Sequence, residues 1–191
     1  MKACIVLGNT RERSNTEALA GIFSEELAAK GVEVKTFSLR QKNIRSCIGC
    51  EKCHSVLDSF GCVLKDDMDE IATEILASDL LVLSSPIYSW FATPPIKALM
   101  DRLYAFTKFT EPGNMVNLMK KQRFALIATS GDECSANCDL LDQAINRMAQ
   151  FAGLPYLGYF AAQDKGYENN ARQDTADGVR AFAEKCAENL K

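Results

Sequence analysis

Apolar residues along this chain fall into two kinds of run. Ala3–Leu7, Leu80–Leu83 and Phe124–Ala128 are short, uninterrupted and aliphatic, the mark of strands covered on both faces. Elsewhere apolar residues recur at three- and four-residue spacing. Leu19, Ile22, Phe23 and Leu27 form the first such stripe; Met68, Ile71, Ala72 and Ile75 the second; Ile96, Leu99, Met100 and Leu103 the third. Leu141, Ile145 and Met148 form the fourth, and Val179, Phe182, Ala183 and Cys186 the fifth. Each predicts an amphipathic helix with one buried stripe. Gly31 and Gly153 stand where the first and fourth should stop, and Pro94-Pro95 open the third. Two further strands are expected at the sheet edges. In Val32–Leu39, Val32 and Val34 alternate with Glu33 and Lys35, and Pro155–Ala162 carries tyrosines and a glycine.

A strand–helix unit repeated five times predicts an α/β three-layer sandwich, a parallel sheet with helices on both faces. Three buried strands flanked by two edges fit strand order 2-1-3-4-5, the flavodoxin-like order. All 191 residues are expected to form one domain. Residues from about 41 to 65, which lack periodicity, form a cysteine-rich insertion. Thr107–Gln122 is expected to be irregular, with a turn at Pro112-Gly113-Asn114. In this strand order ligands bind outside the carboxyl ends of strands one and three. The exit loops there are Asn9–Thr16 and Ser85–Thr93, with Ser130–Glu133 beside them.

Those loops carry distinctive chemistry. Gly8–Ser14 holds two arginines and small hydroxyl or amide side chains, and leads into a helix start whose free N–H groups favour an anion. Neither G-x-G-x-x-G nor G-x-x-x-x-G-K-[ST] is present, so the cup suits a single terminal phosphate, as on FMN. Ser14 and Glu17 also fit a capping box. Tyr88, Trp90 and Phe91 could cover a flat ring whose edge the loop backbone would read; packing into the core or a subunit interface is the alternative. Ser130-Gly131-Asp132 could touch the other ring edge or serve as a helix entry.

Cys47, Cys50 and Cys53 are spaced C-x2-C-x2-C, and Cys62 follows after eight residues. Four clustered thiolates suit a [4Fe–4S] cluster or zinc, and redox-active free thiols are the third reading. His54, the only histidine, reads as a solvated loop residue. Cys4 and Cys186 fall on core positions. Cys134 and Cys138, four apart at a helix start, are either packing residues or a redox pair. Lys97, Asp101 and Arg102 read as helix-face and capping residues.

Net charge is −3, and the longest basic block is Lys120-Lys121, which speaks against a nucleic-acid partner. No apolar run reaches the length of a membrane span. Met1-Lys2-Ala3 leads straight into a strand without a cleavage-site pattern, so a cytosolic location is expected. There the eight cysteines point to metal or redox chemistry and away from a disulfide framework.

GNTRERSNTEALA, then CIGCEKC with Cys62, then SSPIYSWFATPPIKALMDR resembles the NAD(P)H-dependent FMN reductase and iron–sulfur flavoprotein superfamily across Lys2–Arg102. The resemblance implies non-covalent FMN, homodimers or homotetramers, and hydride and electron chemistry carried by the flavin with NAD(P)H as co-substrate. It assigns Asn9, Thr10, Arg11, Ser14, Asn15 and Thr16 to the FMN phosphate. Pro86, Ile87, Tyr88, Ser89, Trp90 and Phe91 fall to the isoalloxazine ring, with Ser130 and Gly131 as a third contact. Cys47, Cys50, Cys53 and Cys62 are the implied cluster ligands, although the family's last gap is usually shorter than eight residues. The expected function is an FMN-dependent oxidoreductase passing electrons from NAD(P)H or a reduced carrier to a small-molecule or protein acceptor, with a [4Fe–4S] cluster as a candidate relay. The alternatives are a flavodoxin-like electron carrier that does not use nicotinamide and a non-catalytic zinc-binding protein.

Overall fold

A computed structural model describes residues 1–111, 114–166 and 173–191. Strands β1 (Lys2–Leu7), β2 (Glu33–Ser38), β3 (Leu80–Tyr88), β7 (Arg123–Ser130) and β8 (Tyr156–Gln163) pair in parallel in the order β2-β1-β3-β7-β8. Counting only these five, that is the expected 2-1-3-4-5. Alternation along the strands divides the core. Ala3, Ile5 and Leu7 face helices α1 (Asn15–Ala29) and α5 (Gln173–Glu188), where Phe23 and Phe182 rings meet at 5.7 Å. Cys4 and Val6 face α2 (Met68–Ala77), α3 (Pro94–Leu103) and α4 (Asp139–Ala152). The edges β2 and β8 are the more exposed strands, as their mixed patterns predict.

Two stretches differ from expectation. Ser84–Thr93 is not a loop throughout. β3 runs on to Tyr88, because Ser84, Ser85 and Pro86 pair with Ile127, Ala128 and Thr129 of β7, and Ile87 and Tyr88 pair with the residues that follow the turn. Pairing with β1 ends at Ser84, so Pro86 lies where the strand has one neighbour and its missing N–H costs no ladder bond. The chain then reverses through Ser89 and Trp90 into the short β4 (Phe91–Ala92). Thr107–Gln122 holds a hairpin of β5 (Thr107–Glu111) and β6 (Asn114–Asn117), whose strands lack the alternation that marks a half-buried one: Thr107 and Lys108 are both buried, and Asn114, Met115 and Val116 are all exposed. Of the expected turn, Pro112 and Gly113 lie outside the described residues, and Asn114 begins β6.

Candidate functional site

The cup is set by a close approach between the ends of β1 and β3. The Gly8 N–H donates to the Ser84 carbonyl at 2.7 Å, and the Thr93 hydroxyl donates to the Gly8 carbonyl at 2.8 Å. A Cβ at Gly8 would sit 2.2 Å from Ile96 Cγ1, so a larger residue would push the loop off α3. Ser14 caps α1, its Oγ accepting the Glu17 N–H at 3.0 Å. Glu17 does not complete the capping box. Its carboxylate accepts from Asn9 Nδ2 at 2.9 Å, and the same amide donates to the Arg11 carbonyl, folding Asn9–Arg11 back over the helix start. Buried hydroxyls of Thr16 and Thr129 bond to each other and join α1 to the end of β7.

These contacts open a cleft of about 300 Å³ at the carboxyl ends of β1, β3 and β7. Asn9, Thr10, Arg11, Ser14, Asn15, Thr16, Pro86, Ile87, Tyr88, Ser130 and Gly131 all line it. Ser89, Trp90 and Phe91 do not. Ser89 and Trp90 form the hairpin tip, both in the left-handed region at φ 49° and 62°, and the Trp90 side chain is 59% exposed. Phe91 faces a different cavity. Two left-handed residues that are not glycine cost roughly 1–2 kcal/mol each, strain that places an indole in solvent beside the cleft.

Two lining residues, Thr129 and Asp164, were not expected. Asp164 follows the edge strand β8, whose exit lies beside Ser130 once the strand order is applied. Its carboxylate bonds Asn15 Nδ2, accepts the Gly166 N–H at 2.9 Å and lies 3.3 Å from Arg11 Nη2. A side-chain anion is thus held by the guanidinium and amide at the helix entry, where the dipole and free N–H groups favour negative charge. This donor set fits a phosphate. Asn9 and Asn15 each also keep a buried Oδ1 without a hydrogen-bond partner, an acceptor suited to ligand hydroxyls.

The cysteine segment is organised differently. Cys47, Cys50, Cys53 and Cys62 line one small cavity together with Arg102 and Tyr104. Cys47 and Cys50 are exposed. Among the described residues, no three His, Cys, Asp or Glu side chains converge closely enough to hold a metal ion. The donor chemistry suits a metal, but its closure on one centre requires the segment to tighten.

Beneath the segment lie two buried cations. Arg102 is not a helix-face residue. It is 1% exposed, its Nη1 donates to both Asp66 oxygens at 2.6 and 2.7 Å, and its Nη2 donates to the Leu64 carbonyl at 3.3 Å. Burial alone would raise the Asp66 carboxyl. Hydrogen bonds from Arg102 and from the Arg45 and Met68 N–H groups outweigh it and hold the group below the usual carboxylate range. Lys108, equally buried, donates to the carbonyls of Cys53 and Phe60, and burial lowers its pKa. His54, read as a solvated loop residue, is half-buried. Its ring packs 4.8 Å from both Tyr104 and Phe109. Lys97 and Asp101 do form an exposed pair on α3.

A further cavity, about 580 Å³, is an apolar groove between α3, α4 and the β5–β6 hairpin, lined by Phe91, Met100, Tyr104, Met148 and Phe151 among others, Cys47 included. Among the described residues no helix is long and apolar enough to cross a membrane.

The chain is 34% identical over 106 residues to an iron–sulfur flavoprotein of Archaeoglobus fulgidus, covering 56% of this chain and 47% of that one. It thus spans about half the length of the curated iron–sulfur flavoproteins it matches. Among solved structures, an NAD(P)H:quinone oxidoreductase from Methanothermobacter marburgensis superposes with a TM-score of 0.73 at 14% identity, over 100% of this chain and 99% of that one. An FMN-dependent NADH-azoreductase from Bacillus anthracis, in complex with FMN, gives 0.70 at 16%, over 98% and 100%. These likenesses show the flavodoxin-like fold. Residues 1–165 match the NADPH-dependent FMN reductase family, and the chain belongs to that family.

Proposed function

We propose that the cleft binds one FMN and that the chain, acting as one unit with the cysteine segment as its insertion, is an NAD(P)H-dependent oxidoreductase. The observation that carries this reading is the anion held at the entry of α1, where Arg11 and Asn15 grip the Asp164 carboxylate. In the loaded protein these donors, with the Ser14–Thr16 backbone, hold the phosphate and Asp164 gives way. The unpartnered Oδ1 atoms of Asn9 and Asn15 accept from the ribityl hydroxyls. Pro86, Ile87 and Tyr88 line one edge of the ring, with Ser130 and Gly131 opposite. The flavin supplies the hydride and electron chemistry when bound, so the chain needs no acid–base pair of its own. Its residues bind and orient, and Trp90 at the strained hairpin tip offers an aromatic face to an incoming nicotinamide ring.

The cysteine segment favours a second reading, a carrier that takes electrons from a reduced iron–sulfur protein and never uses nicotinamide. Cys47, Cys50, Cys53 and Cys62 would then hold a [4Fe–4S] cluster beside the cleft. The apolar groove, lined by exposed Tyr104 and Phe151, suits a second copy of the chain in a homodimer or homotetramer. Mixing the FMN-loaded protein with NADH or NADPH without oxygen separates the two functions. Rapid loss of the oxidised-flavin absorbance is expected. No reduction by either nucleotide, with fast reduction by ferredoxin, would establish the carrier.

A further inference from the structure

Cys134 and Cys138 sit at the entry to α4, next to the cleft-lining Ser130. Ser130, which lines the cleft, gives its hydroxyl proton to the Asp132 carbonyl at 2.7 Å. Its oxygen is therefore the acceptor for the Cys134 thiol, at 3.4 Å. Cys138 is fully buried behind them, its N–H donating to the Cys134 carbonyl at 2.9 Å. Cys4 and Cys186 are also buried, but neither has another cysteine within ten residues of it in the sequence. Packing alone accounts for those two; it does not account for a thiol bonded to a hydroxyl of the cleft lining with a second thiol one turn behind it.

We propose that Cys134 and Cys138 form a reversible dithiol–disulfide couple, oxidised by exchange with low-molecular-weight disulfides, with Ser130 linking the couple to the cleft. The Cys138 N–H bonds the Cys134 carbonyl at 2.9 Å, which sets the residues one helical turn apart, with Cβ atoms about 5–6 Å from each other. A disulfide needs Cβ atoms roughly 3.5–4.5 Å apart, so the turn must tighten by on the order of 1–2 Å. It can do so. Cys134–Ala136 is already a 3-10 turn, Asp132, Glu133, Ser135 and Ala136 are exposed, and Cys138 makes no side-chain cap bond to the helix. Exchange starts at the half-exposed Cys134, since burial pushes the Cys138 thiol up to about 11. The Cys134 thiolate attacks the disulfide, forms a mixed disulfide and releases one thiol. Cys138 then attacks the Cys134 sulfur, closes the intramolecular bond and releases the second thiol. The two protons lost by the cysteines end on the two released thiols.

The test equilibrates the full chain in mixtures of oxidised and reduced glutathione, alkylates the remaining thiols and identifies peptides by mass. The expected product is a Cys134–Cys138 peptide two hydrogens lighter, appearing with one two-electron midpoint and reversed by excess reduced glutathione. Cys138→Ser is expected to stop at a glutathione adduct on Cys134, and Cys134→Ser to leave Cys138 unmodified while folded by circular dichroism. Wild-type protein in which both cysteines alkylate whatever the mixture, or in which Cys134 keeps its adduct, would overturn the couple. The link to the cleft rests on the FMN reading above. FMN affinity is expected to differ several-fold between the oxidised and reduced forms, and equal affinities would overturn the link. If neither form binds FMN, the FMN reading fails while the disulfide result stands.

Discussion

The cleft and the cysteine segment are built on opposite terms. In the cleft, secondary structure places the donors. The ends of parallel strands, a capped helix and the Thr16–Thr129 hydroxyl bond fix them before any ligand arrives. In the cysteine segment, side chains place the backbone. Arg102 and Lys108, both buried, hold carbonyls and one carboxylate from below, while Cys47 and Cys50 face outward. A preorganised site gains affinity by avoiding ordering costs. A segment pinned at its base with its thiols facing outward would take up a metal only by closing. The cleft is therefore expected to bind FMN whether or not the segment carries a metal.

That independence can be broken in graded ways. Cys50→Ala is expected to abolish bound iron or zinc, measured by metal analysis, with FMN content unchanged; loss of FMN as well would show the regions to be one site. Asp66→Ala strands the Arg102 charge and is expected to cost about 3–5 kcal/mol, read in denaturant unfolding. The same pair sets an acid limit. A carboxyl held below its unfolded pKa of about 3.9 contributes stability that is complete above that pH and is lost as pH falls through the folded value. Unfolding midpoints of wild type are therefore expected to drop below about pH 4, and Asp66→Ala to flatten that drop. Within the cleft, Arg11→Ala removes one charged donor, worth about 1.5–3 kcal/mol, and is expected to weaken FMN binding about tenfold or more, with metal content unaffected. Asp164→Asn removes the competing anion, so FMN is expected to bind several-fold more tightly; weaker binding would mean that Asp164 contacts the ligand directly. Ser14→Ala has the smallest expected effect, a stability loss of about 1 kcal/mol from the missing cap.

Strand order and helix faces were legible in the sequence because burial writes them there. Runs such as Leu80–Leu83 mark central strands, and the Val34/Lys35 alternation marks an edge. Most of the cleft was legible for a related reason: once the order is known, the exits of β1, β3 and β7 must meet. Legibility failed where contacts between distant residues decide the outcome. Nothing local in SSPIYSW shows that pairing with β7 and then with β4 carries the strand to Tyr88, leaves Trp90 at an exposed hairpin tip and turns Phe91 into another cavity. Arg102 reads as a surface helix residue until Asp66, 36 positions earlier, supplies the carboxylate that buries it. Asp164 was missed because its strand is an edge, although the predicted order already placed that strand's exit beside Ser130.

The central claim is that the cup at the entry of α1 is a phosphate site. The most direct measurement is the affinity for FMN against that for riboflavin, which has the same ring and ribityl chain without the phosphate, by fluorescence titration at fixed salt. FMN is expected to bind at least about 100-fold more tightly, the equivalent of about 2.7 kcal/mol from the phosphate contacts. Equal affinities would contradict the account and leave Arg11 and Asn15 as no more than partners for Asp164.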